Sequence, residues 1–255
     1  MSKYIPALLG ALTIVIASPS QAALYDITYT GVVSSGYDQT GVFLGHDSDL
    51  TGQAFTAAFT LNYPLPAGTT EYDDGQTHYA YGGWGYGAPS FVSGKITING
   101  KSDSVSGSYI SAEYLQKLST GDYFGTSSYD NISSDPSSYK YSYIDTWIQS
   151  TNDNYLNGTS FTQSVNYTTD SNDTAGASFQ FYEYDYDTGA TEKYAYGNLT
   201  PSNVTVSVSA VPEQSTWAMM ITAFGFAGTA FRRRKPEQFR SSRRGAEPSF
   251  AAATA

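Results

Sequence analysis

From Val204 to Ser209 the chain reads Val-Thr-Val-Ser-Val-Ser, an unbroken alternation of apolar and hydroxyl side chains. Successive side chains of a strand point to opposite faces, so this run makes a strand with one buried face; a helix would scatter the same valines around its axis. Runs rich in β-branched and aromatic residues recur at 24–33, 50–62, 90–99, 102–114, 139–149, 160–168, 175–185, 191–197 and 203–210, divided by Gly, Asn, Asp and Ser. They predict an all-β domain of about ten strands, an antiparallel β-sandwich of jelly-roll-like form. Asn99-Gly100, Asn157-Gly158 and Asp187-Thr188-Gly189 fit hairpins or tight connections. The one stretch of mild helical character is 111–118, where Leu115 and Leu118 suit one short turn. No repeat of fixed period is present, which argues against a propeller or solenoid.

Charge divides the 255 residues into unlike parts. Residues 23–210 hold five lysines, no arginine and twenty carboxylates, a net −15, whereas seven of the thirteen basic residues lie in the last 24 positions. So acidic a segment repels phosphate backbones, and no nucleic-acid partner is expected. The absence of cysteine removes disulfides, thiolate nucleophiles and the usual structural zinc sites, and leaves stability to packing.

The first 22 residues read as a secretory signal peptide: Lys3, an apolar run over 5–17, then Ser20-Gln21-Ala22, with cleavage expected after Ala22. At the other end stands Val211-Pro212-Glu213-Gln214-Ser215-Thr216-Trp217-Ala218-Met219-Met220, an apolar run to Phe231, then Arg232, Arg233, Arg234 and Lys235. As a helix, residues 217–231 rise only about 22 Å, short of the roughly 30 Å hydrocarbon core, which suits a transient transmembrane-type helix. The basic cluster would stay cytoplasmic and the N-terminus outside.

This ordered tail resembles the PEP-CTERM sorting signal, in its PEPxxWA variant, of exported proteins of Gram-negative bacteria. Pro212 and Glu213 match the first motif letters, Trp217 and Ala218 the WA, and Arg232 to Lys235 the basic anchor; Gln214 replaces the second proline, and residues 236–255 extend past the usual end. The resemblance implies an exosortase-type processing enzyme, transient anchoring in the inner membrane, and delivery to the cell surface or exopolysaccharide matrix. Residues 29–36 and 49–55 also resemble the start of sandwich domains common ahead of such tails. The resulting organisation is a signal peptide over 1–22, a β-sandwich domain over 23–210, the sorting signal over 211–235 and a disordered tail over 236–255.

The central domain holds 22 of the 23 tyrosines. A structural reading has the rings half buried on strand faces with wet hydroxyls; a functional reading has them stacking on sugar rings. For the latter the richest stretch is 79–87, with Tyr81, Trp84 and Tyr86 as glycan contacts, inside what reads as a long connection over 62–89. A Gly-rich aromatic loop that only covers a sheet edge fits the same letters.

For metals, His46 with Asp47 and Asp49 is one candidate. Calcium is better served by the oxygen-rich runs Asn152-Asp153-Asn154, Asp170-Ser171-Asn172-Asp173 and Asp185-Tyr186-Asp187. Those residues are equally ordinary turn formers, so no metal ligand is assigned. No G-x-S-x-G, Walker, dinucleotide-binding or H-E-x-x-H motif occurs, and no catalytic residue is expected. A polysaccharide hydrolase or lyase would need a cleft with paired carboxylates. Ice binding would need a flat face of regularly spaced threonines, and Thr28, Thr30, Thr51, Thr56 and Thr60 show no steady repeat along the chain.

Overall fold

The alternating runs form strands, except that the run over 160–168 is a strand only at its end, Val165–Thr168. This computed structural model describes residues 23–135 and 137–209. The expectations for the signal helix and Ala22, for the sorting motif, transmembrane-type helix and basic anchor, and for the tail fall outside the described residues. The strands are β1 (Ala23–Thr40), β2 (His46–Asp49), β3 (Ala54–Tyr63), β4 (Thr70–Asp73), β5 (Thr77–Gly82), β6 (Val92–Ile98), β7 (Lys101–Val105), β8 (Ile110–Leu118), β9 (Gly121–Asp135), β10 (Ser138–Gln149), β11 (Val165–Thr168), β12 (Thr174–Asp185) and β13 (Ala190–Ser209). The only helical piece among the described residues is a 3-10 turn at Trp84–Tyr86.

Every pairing is antiparallel, and the strands form one sheet in the order β4-β5-β8-β9-β10-β12-β13-β1-β3-β6-β7, with β11 added to β13 and β2 to β1. The sheet curls over itself. Tyr29 of β1 lies four steps along the order from β9, yet its hydroxyl is 3.2 Å from Thr126 Oγ1 and its ring packs on Phe124 at 6.1 Å. The concave side holds the core, including Ile27, Phe59, Ile96, Phe124, Ile144, Phe179 and Phe181, all buried. Phe43, from the loop after β1, fills it further against Phe179 and Phe181. That loop is held by the buried Asp38, whose two carboxylate oxygens accept from the amides of Gly41, Val42, Phe43 and Leu44 at 2.7–2.9 Å.

Several expectations are corrected. The expected helical turn over 111–118 is strand β8: Leu115 is buried while Leu118 faces out, the parity of a strand between paired neighbours. The run over 102–114 is two strands, β7 at one edge of the sheet and β8 near the other. The crossing is made at Gly107 (φ 69°), where a Cβ would sit 2.1 Å from the Val92 carbonyl oxygen. Asp130 holds both flanks, accepting from the amides and hydroxyls of Ser106 and Ser108. Conversely, the runs at 191–197 and 203–210 are one strand, β13. Its Pro201 needs no ladder bond, since it sits at a register shift against Thr30 and Gly31 and between the pairings to β12 and β11.

The connection expected over 62–89 contains β4 and β5. Asn157-Gly158 is no hairpin but part of the stretch between β10 and β11. Asn99-Gly100 does close the two-residue hairpin from β6 to β7, with φ of 51° and 76° and Ile98 opposite Lys101, the geometry of a type I′ turn.

Candidate functional site

On the convex face of β4, β5, β8, β9, β10 and β12, the register lines up one row across six strands: Tyr72, Tyr79, Tyr114, Gly125, Trp147 and Gly176. The two glycines do not interrupt it. A Cβ on Gly125 would meet the Tyr123 ring at 3.0 Å, and one on Gly176 would meet the Trp147 indole at 2.8 Å. Each ring therefore lies over a glycine, where a side chain would otherwise stand. The aromatic surface is continuous: Tyr72 to Tyr79 is 5.2 Å between centroids, Tyr79 to Tyr114 is 6.2 Å, Tyr114 to Tyr123 is 5.1 Å and Tyr123 to Trp147 is 6.0 Å. Tyr123 and Trp147 are within 13° of parallel, whereas Tyr114 stands at 89° to Tyr123. The glycine-seated pair forms a floor and Tyr114 a wall beside it. At about 4.8 Å per strand, the row spans roughly 24 Å.

Polar rows flank the aromatic one. On one side the register aligns Tyr81, Ala112, Ser127, Asp145 and Ser178; on the other, Thr77, Gln116, Tyr123, Gln149 and Thr174. Ser127 Oγ donates to Asp145 Oδ1. Burial pushes the Asp145 carboxyl up, and the Ser127 hydrogen bond opposes the shift. Burial and the Asp145 charge push the Tyr123 phenol up, so it remains a neutral donor at physiological pH. An aromatic floor with a few fixed amide, hydroxyl and carboxyl groups beside it can stack the apolar face of a pyranose and hydrogen-bond its edge.

The expected glycan residues are only partly brought together. Tyr86 stacks on Tyr81 at 5.2 Å, and Tyr81 touches Tyr79 at 5.4 Å, so both extend one end of the row. Trp84, 61% exposed, packs instead on Tyr109 at 4.7 Å. Tyr114, Tyr123 and Trp147 went unrecognised in the sequence, and the signal lies only in pairing: Gly125 and Gly176 each stand opposite Trp147.

The metal candidates resolve differently. His46 Nδ1 is 3.1 Å from the Gln39 carbonyl, Asp47 accepts from the Tyr37 hydroxyl at 2.9 Å and Asp49 from the Thr51 amide at 2.8 Å, three separate partners. His78 is buried, its Nδ1 2.7 Å from the Thr159 carbonyl and its Nε2 2.8 Å from Glu71, with Phe161 stacked on it at 3.7 Å. Two of the oxygen-rich runs do meet, because the Tyr167 hydroxyl lies 2.6 Å from Asp173 Oδ2 and 3.1 Å from Asp153 Oδ2. In the third, Asp185 accepts from the amides of Asp187 and Thr188, a turn cap. Among the described residues no group of three or more metal-ligating side chains converges. The threonines draw nearer than their spacing in sequence suggests: Thr30 pairs with Thr56 and Thr56 with Thr97, but the adjacent rows carry Asp26, Ala58 and Lys95.

No protein-family model, curated protein or solved structure matches this chain.

Proposed function

We propose that this is an exported cell-surface or exopolysaccharide-matrix protein that binds polysaccharide along the aromatic row, without catalysis of its own. The observation that carries the reading is the pair of rings seated over Gly125 and Gly176 inside a row that crosses six strands. A surface laid across strands suits an extended polymer better than a small molecule in a pocket. The curled sheet is read as a two-layer, jelly-roll-like sandwich that holds this face rigid. The tail from Val211 to Lys235 supports the second half of the reading: a signal peptide, a transmembrane-type helix and an exosortase-type enzyme would bring the domain to the surface. Calcium, if it binds, would do so beside Asp153 and Asp173 and support the loops rather than the row.

The test is retention of the protein on a panel of neutral polysaccharides in native affinity gels. Trp147→Ala and Tyr114→Ala should each abolish retardation that the unaltered protein shows, and Trp84→Ala should leave most of it. Retardation indifferent to Trp147→Ala would place any binding elsewhere.

A further inference from the structure

At the margin of the aromatic row, the turn from β8 to β9 and the end of β10 border an open cavity of about 230 Å³, lined by Leu118, Thr120, Asp122, Tyr123, Gln149 and Ser150. Tyr123 is also one ring of the row's floor, so the row and the cavity are continuous. Gln149 stands two residues from Trp147 on the same face of β10, about 7 Å along the strand. That offset is the reach of a substituent on the edge of a stacked ring, not of the ring itself. The walls are fixed. Gly121 approaches the end of β10 so closely that a Cβ would lie 2.0 Å from the Ser150 carbonyl oxygen, and the Ser150 amide donates to the Asp122 carbonyl at 2.9 Å.

The groups left open in the cavity are neutral. The Asp122 side chain is wholly buried, with Oδ2 accepting from the Leu156 amide at 2.6 Å and Oδ1 3.7 Å from Lys117 Nζ. Lys117 in turn donates to the Leu156 carbonyl. Ser150 Oγ accepts from the amides of Asn152 and Asp153, and Gln116 and Thr151, also in the lining, donate to Thr77 Oγ1 and the Asn172 carbonyl. By contrast, the Gln149 carboxamide and the Thr120 hydroxyl have no hydrogen-bond partner among the described residues, and Leu118 is 36% exposed. What the cavity chiefly offers a ligand is one amide, one hydroxyl and one apolar side chain.

We propose that this cavity takes the acetamido group of an N-acetylhexosamine unit whose ring stacks on the row. The Gln149 carboxamide both donates and accepts, which matches the acetamido carbonyl and N–H, and Leu118 covers the methyl. A plain hydroxyl at the same ring position would be too short to reach Leu118 and would leave the Gln149 amide to water. The cavity therefore discriminates an N-acetylated polymer from its unsubstituted counterpart. A carboxylate or sulfate in that place would find the Lys117 ammonium already engaged and would meet a domain of strong negative charge. The inference deepens the polysaccharide-binding reading: it rests on the aromatic row for ring stacking and adds the substituent.

The experiment is calorimetric titration of the whole protein with a hexamer of N-acetylglucosamine and, separately, a hexamer of glucose of the same linkage. The unaltered protein should bind the acetylated hexamer at least about tenfold more tightly, the gain expected from a matched hydrogen-bonding amide together with a buried methyl. In Leu118→Ser/Gln149→Ala the two affinities should come within about twofold of each other. The readout is their ratio, which a loss of folded protein does not change. Equal affinities in the unaltered protein, or a preference that survives in the double variant, would overturn the proposal alone if Trp147→Ala still weakens both hexamers. Failure of the aromatic-row reading shows separately, as binding of both hexamers indifferent to Trp147→Ala or as no binding of either, and overturns the proposal with it.

Discussion

Single side chains decide several properties of this domain, and Glu113 is the most exposed to test. It lies on the core side of β8, 1% accessible, and neither carboxylate oxygen has a hydrogen-bond partner among the described residues. Burial pushes its carboxyl well above the ordinary value, and the nearby Thr126 hydroxyl opposes this only in part. A carboxyl raised in the folded state gives stability that is full below the unfolded pKa, near 4.3, and falls as pH rises toward the folded value. The slope is at most about 1.4 kcal/mol per pH unit. Melting temperature should therefore decline from mildly acidic to neutral pH, and Glu113→Gln should flatten that decline and stabilise the protein at neutral pH. Parallel pH profiles for the two proteins would refute it. Asp38 anchors the loop after β1 through the amides of Gly41, Val42, Phe43 and Leu44, all of which donate to its carboxylate. Asp38→Ala should cost at least about 3 kcal/mol in chemical denaturation, through several donors left unmatched.

At the scale of strands, the glycine seats give a direct prediction. A valine at Gly176 must displace the Trp147 indole, whose Cζ2 lies 2.8 Å from where Cβ would be. Gly176→Val should cost about 1–3 kcal/mol in denaturation by overpacking and should weaken polysaccharide retention as the floor tilts. These seats were illegible in the sequence, because they exist only once β9, β10 and β12 are in register. Strand β9 itself, Gly-Asp-Tyr-Phe-Gly-Thr-Ser-Ser-Tyr-Asp at its start, is built from turn formers. It is a strand because β8 and β10 pair with it along both sides, a tertiary demand that overrides local preference. The same demand turns Leu115 and Leu118, spaced as on a helix, into inner and outer positions of β8. By contrast, the strand over Val204 to Val208 and the Asn99-Gly100 turn were legible, since each is a local rule with one solution, although of the three valines Val204 and Val206 are buried and Val208 is exposed. Tyrosine abundance pointed to stacking surfaces, but it drew attention to Trp84, which packs on Tyr109, rather than to Trp147.

For the whole molecule, the two ends and the sheet are read as one device: delivery by the tail, then contact with polysaccharide by the convex face. Removing residues 217–235 should release the protein into the medium, as judged by immunoblots of cell and culture fractions; unchanged surface retention would contradict sorting by this segment. The central claim is that the aromatic row is the polysaccharide-binding surface. Its most direct measurement is the affinity of the purified protein for neutral polysaccharide with and without Trp147. A loss of at least about tenfold in Trp147→Ala at unchanged melting temperature is predicted, of the size seen when a stacking aromatic is removed from a contact surface. Equal binding by the two proteins, or no binding of any polysaccharide by either, would contradict it.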